Sequence, residues 1–141
     1  MNLESGELIA EVIDPVSGSR VVFEDDGRVA YAYLLSCEGE ITSDVWLYNR
    51  SPTPKKATWH DRKAAPFLNP AEFVRTDIAF ALPEHPADIM VVWDVIEKPS
   101  VSLCIHIHGE LVGILATGSK PGWCLLAAND GPLARKFPRK S

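Results

Sequence analysis

The chain has 141 residues, 46% hydrophobic and 23% charged, which suits one folded domain and excludes a chain disordered over its body. A net charge of −5 and a pI near 5.3 set up a field that repels phosphate, which argues against nucleic acid and membrane surfaces as partners. A domain of this size buries roughly 68–70% of its extended-chain surface, so it needs no metal, disulfide or cofactor to fold, and none is expected.

Period-two apolar runs separated by turn residues dominate the chain. "ELIAEVID" (7–14) reads as a first strand, stopped by "PVSGS", and "RVVFED" (20–25) as a second. Asp26 and Gly27 signal a hairpin, because glycine tolerates the positive φ of a tight turn. "RVAYAYLLSC" (28–37) and "EITSDVWLYN" (40–49) follow as a pair joined at Glu38 and Gly39. Regularity then breaks over 50–70, a proline-rich connection of the kind that clamps over a surface or carries function. "NPAEFVR" (69–75) predicts a short helix with Asn69 as N-cap and Pro70 at its first position. "TDIAFAL" (76–82) is a candidate strand, and "PEHPAD" breaks the chain again. A second meander comprises 88–97, 101–108, 110–118 and 123–128.

Eight or nine strands with short links imply an all-β antiparallel meander, folded as a β-sandwich or a partly closed barrel with one short helix near 69–75. One β domain is expected over 1–130, including loop 50–70, with 131–141 as a basic C-terminal tail. The N-terminal "MNLESGELIAEVIDP" lacks the basic start and acid-free apolar stretch of a signal peptide, and no apolar run approaches ~20 residues. Three cysteines, an odd number without a C-x-x-C pair, suit reduced thiols. A cytoplasmic protein is the expectation.

A two-residue turn at Glu38 and Gly39 would place Tyr31 opposite Trp46. One face would then carry Val29, Tyr31, Tyr33 and Leu35, with Thr42, Asp44, Trp46 and Tyr48 across from them. Ala30, Ala32, Leu34, Ile41, Ser43, Val45 and Leu47 would build the aliphatic core face. The first face is aromatic and amphipathic, which suits a half-covered binding surface. Asp44 there needs a partner, with Arg50, Arg62 or a tyrosine hydroxyl as candidates. Loop 50–70 either packs Trp59 and Phe67 onto this face or leaves a shallow pocket above it. Within "WHDR" (59–62), Trp59, His60 and Arg62 are side-chain types common at binding hot spots. His60 and Asp61 point opposite ways in extended chain and cannot form a base–orienter pair.

In "CIHIH" (104–108), Cys104, His106 and His108 share one strand face, and alternate histidines lie about 6.6–7 Å apart at Cα, close enough to share zinc. A third ligand is missing from the neighbouring strand 110–118. On 88–97 the facing residues are either Ile89, Val91 and Trp93 or Met90, Val92 and Asp94, and only Asp94 could ligate. A metal site is therefore not expected. No G-x-S-x-G elbow or phosphate loop is present, and Asp25 and Asp26 are explained by turn chemistry.

Charge is uneven. Residues 1–44 hold ten acids and two bases, 45–75 six bases and two acids, and the last eleven residues four bases. The leading expectation is a non-enzymatic binding protein with an acidic face for a basic protein partner. In size, acidity and lack of a catalytic signature the chain is similar to immunity proteins of bacterial toxin systems, a likeness of type that carries no residue across. The alternative is a small-molecule-binding β domain, or an enzyme, with its site under loop 50–70. Either could be a homodimer if an unpaired edge strand is buried between copies.

Overall fold

The alternating pattern becomes nine strands in the computed structural model, which describes residues 7–61, 63, 65–97 and 100–137. The first sheet contains β1 (Glu7–Ile13), β2 (Arg20–Asp26), β3 (Val29–Leu35) and β4 (Ile41–Asn49), in sequence order. The second contains β5 (Ile89–Glu97), β6 (Ser100–Ile107), β7 (Glu110–Ala116), β8 (Trp123–Cys124) and β9 (Arg135–Lys136). The two sheets form an all-β sandwich in contact through β4 and β7, with no closed barrel.

The core follows from strand alternation. Val21 and Phe23 of β2, Ala30, Ala32 and Leu34 of β3, and Val45 of β4 are buried on one sheet. Val101, Leu103, Ile105 and Ile107 of β6 are buried on the other. Gly113 permits the close approach of the sheets, since a Cβ there would stand 2.7 Å from Leu47 Cδ2.

Tyr31 does pair with Trp46, and Tyr33 with Asp44. Yet the turn is not a two-residue one at Glu38 and Gly39. Ser36 N donates to Glu40 O at 2.8 Å, closing a three-residue loop with Gly39 at φ 88°. A bulge between Leu34 and Leu35 then restores the register of the strand centres and sends Ile41 to the outer face, where it is 47% exposed. A second bulge, between Ala30 and Tyr31, places Tyr48 opposite Ala30. Tyr48 therefore belongs to the core face, not to the aromatic face expected for it.

Other elements differ from expectation. The helix near 69–75 is a single 3-10 turn over Ala71–Phe73, preceded by Pro70, with no side-chain cap. Asn69 is instead buried, and its backbone N–H donates to Asn49 Oδ1 at 3.0 Å. Residues 76–82 form no strand. Their apolar side chains lie over the core, with Phe80 against Tyr48 at 5.9 Å between ring centroids. A second 3-10 turn, Pro86–Asp88, occupies the break before β5. The expected strand 123–128 shortens to β8, because the chain turns away to bridge Ala127 to Val74. β9 pairs parallel to β8, the one departure from antiparallel order among the described strands. Of the basic C-terminal segment, residues 131–137 are described and lie against the body, with Ala134 buried. Among the described residues no helix is long and apolar enough to cross a membrane.

Candidate functional site

The outer face of the first sheet carries two rows of side chains set by register. Glu11, Val22, Tyr33 and Asp44 form one row, and Ile9, Glu24, Tyr31 and Trp46 the next. The rings of Tyr31 and Tyr33 stack at 6.1 Å with 11° between their planes. Above them two segments leave a cleft of about 240 Å³, with Tyr31, Tyr33 and Asp44 as floor and Pro66, Phe67, Pro132 and Leu133 among its walls.

Each wall is fastened to the sheet by hydrogen bonds. Tyr31 Oη donates to the Phe67 carbonyl at 2.6 Å, and the Arg28 guanidinium donates to the Pro66 carbonyl, its Nη1 at 3.1 Å. The opposite wall is held by Trp46 N–H donating to Leu133 O at 2.9 Å. Farther along the same edge of β4, Gly118 N donates to Thr42 O at 2.8 Å and Gly122 N to Asp44 O at 2.7 Å. Irregular chain thus satisfies an edge strand that would otherwise expose its backbone. Arg135 secures that chain by donating to Pro121 O and by lying 4.3 Å over the Trp123 ring.

The Asp44 carboxylate makes no hydrogen bond or ion pair among the described residues. Partial burial raises its pKa, and Lys120 opposes that shift through space. Burial also raises the Tyr33 hydroxyl, assisted by Glu24, Asp44 and Asp26. Tyr31 is raised by burial first, then by Tyr33 and Asp44, with Arg28 acting the other way. The field at the tyrosines is therefore acidic, opposed by Arg28 at Tyr31, while Lys120 opposes the shift at Asp44.

The remaining sequence candidates lie elsewhere. Trp46 is fully buried and its Nε1 donates to Asn49 Oδ1 at 2.9 Å. Trp59 packs on Phe73, with ring centroids 5.3 Å apart, and does not line the cleft. His60 is exposed. Arg62 lies outside the described residues. Arg50 is committed to Asp25, not to Asp44. The part of Pro132 and Leu133 was not legible, since nothing in "NDGPLARK" marks a wall of a distant cleft.

Asp25 is the residue turn chemistry undersold. Its Oδ1 accepts from Gly27 N at 2.8 Å, as a turn aspartate should. The residue is also 0% exposed, and its Oδ2 accepts from Tyr48 Oη at 2.6 Å and from Arg50 Nε at 2.9 Å. Arg50 Nη2 reaches on to Pro83 O at 3.0 Å. This network ties the β2–β3 hairpin, the end of β4 and the segment before β5 together.

The histidine pair is divided between two environments. Met90 and Leu111 flank His106, whose Nδ1 is buried without a hydrogen-bond partner among the described residues. A bulge beside His106 sets Ile114, not Gly113, opposite Cys104. His108 sits in the tight turn at φ 52°, its Nε2 is 3.2 Å from Leu82 O, and its Nδ1 is 3.7 Å from Asp88 Oδ1. Asp94 pairs with Ser102 and, after burial, helps raise the Cys104 thiol pKa. Among the described residues no three His, Cys, Asp or Glu side chains gather to hold a metal ion.

Besides a depression of about 260 Å³ between Tyr48, Ile78 and Phe80, which no carboxylate lines, two larger ones exist. One of about 720 Å³ is bordered by Arg75, Thr76 and Lys136, and there Arg75 is already engaged by Asp77 at 2.6 Å. The other, about 360 Å³, lies between Val16, Cys37 and Thr117. Neither combines aromatic faces with a carboxylate that lacks a hydrogen bond, and the smaller cleft does. Comparison with family models, curated proteins and solved structures returned no match.

Proposed function

We propose that the chain is a non-enzymatic binding protein whose recognition site is the cleft over Tyr31, Tyr33 and Asp44. One observation carries this reading: two tyrosine rings, apolar walls and a carboxylate with no hydrogen bond among the described residues converge in one concave site fastened to the sheet. The cleft's volume of about 240 Å³ falls below the ~300–1,000 Å³ usual for drug-sized ligands. It suits one side chain of a partner protein, or a ligand of that size. Hydrogen bonds hold both walls, so the site is preorganised and little ordering cost attends binding.

Titration of ¹⁵N-labelled protein with a panel of small polar and apolar fragments tests the location. Amide shifts should gather at Tyr31, Tyr33, Asp44 and Phe67. Shifts confined to the larger depression around Thr76 and Lys136 would overturn the assignment.

A further inference from the structure

We propose that the group received by the cleft is an organic monocation on an apolar stem, of the kind that ends a lysine or arginine side chain. This rests on the reading of the cleft as the binding site and adds the ligand's chemistry to it.

Three features of the geometry select that class. First, the Asp44 carboxylate stands in a half-enclosed site with no donor on it among the described residues, and an arriving N–H⁺ would supply a charge-assisted hydrogen bond. Partial exclusion of water strengthens that attraction relative to bulk solvent. Second, the Tyr31 and Tyr33 rings line the cleft beside the carboxylate, and aromatic rings attract a cation over their faces while an anion is repelled. Third, Pro66, Phe67, Pro132 and Leu133 give an alkyl stem apolar surface to cover.

Charge on the surrounding strands points the same way. Glu24 pairs with Tyr31 in register, and Glu11 shares the row of Tyr33 and Asp44. Glu11 already has Arg20 at 3.7 Å. Among the described residues no cation lines the cleft: Arg28 donates to the Pro66 carbonyl, and exposed Lys120 acts on Asp44 only through space. Size agrees as well. A space of about 240 Å³, below the ~300–1,000 Å³ of drug-sized ligand sites, suits a short alkyl cation better than a cofactor.

The test uses matched four-carbon probes at pH 7, followed by amide shifts of Tyr31, Tyr33, Asp44 and Phe67. Butylammonium, butyltrimethylammonium and butylguanidinium supply the cations, 1-butanol the neutral control and butyrate the anion. At least one cation should bind about tenfold more tightly than 1-butanol, with butyrate weakest. Asp44→Asn should reduce the cations to the level of 1-butanol while leaving 1-butanol unchanged. Lys120→Ala, which removes the competing ammonium, should strengthen cation binding alone. If 1-butanol binds in the cleft as tightly as every cation, or Asp44→Asn keeps the preference, the cationic assignment is wrong and the cleft stands. If no probe moves the cleft amides, the site itself is wrong.

Discussion

Truncating Asp25 to alanine tests whether the buried carboxylate network holds the fold together. The mutation leaves the Tyr48 hydroxyl and the Arg50 guanidinium without their acceptor, and Gly27 N–H without its turn partner. Removing one member of a buried ion pair costs about 3–5 kcal/mol. The lower end applies, because the Arg50 side chain is 26% exposed and keeps its bond to Pro83 O, so it can partly rehydrate. The unsatisfied tyrosine hydroxyl accounts for ~1–3 kcal/mol of the loss. We expect about 3 kcal/mol, against a total of ~5–15 kcal/mol for a domain. Urea unfolding followed by far-UV circular dichroism measures it, as a lower midpoint at unchanged m. Arg50→Ala and the double variant complete a cycle. Once Asp25 is gone Arg50 has little left to lose, so the double variant should fall short of the sum by ~1–2 kcal/mol. A cost for Asp25→Ala below about 1 kcal/mol, or strict additivity, would refute the idea of a coupled buried network.

The chain's three tyrosines all have raised pKa values, chiefly through burial. A raised folded-state pKa contributes stability that is complete below the unfolded value near 10 and lost as pH climbs above it. Absorbance titration at 295 nm should therefore place all three midpoints above 10, with Tyr31 and Tyr48 ionising last, and Tyr48→Phe should weaken that alkaline dependence. Thiol labelling with a maleimide, mapped by mass spectrometry, should modify exposed Cys37 first and half-buried Cys104 slowly. Cys124, fully buried with its thiol pushed up to about 12, should react only after unfolding, and native labelling there would contradict its placement. Gly122→Ala should cost ~1–3 kcal/mol by overpacking, because its Cβ would meet the Ile114 carbonyl oxygen and stand 3.2 Å from Leu115 Cδ2. The same change should shift the Asp44 and Arg135 amide resonances, since Gly122 bonds to the backbone of both.

The network and the cleft use acids in opposite ways. Asp25 is satisfied on every side by groups of its own chain and serves structure. The Asp44 carboxylate is less buried, accepts no hydrogen bond among the described residues and faces a concave surface. A partly desolvated carboxylate without such a bond is a cost to the fold, and that is the pattern expected where stability is yielded to recognition.

Local pattern was enough for much of this molecule. Period-two alternation and the glycine turns specify β1 to β7, their order and the all-β class, because a half-buried strand must alternate and a tight turn needs residues that accept positive φ. The pairing of Tyr31 with Trp46 and Tyr33 with Asp44 was also legible, although through a turn of the wrong length whose error the bulge at Leu34 and Leu35 cancelled. Tertiary structure alone decided the rest. Bulges, which depend on packing across the sandwich, moved Tyr48 into the core, where it and Arg50 share Asp25 as their acceptor. Residues 76–82 carry a strand's composition but cover the core instead, since they find no free strand to pair with. The cleft needs Pro66 and Phe67 from one connection and Pro132 and Leu133 from near the C-terminus. Those residues meet only because backbone groups along the edge of β4 had to be satisfied, a long-range demand that no local pattern encodes.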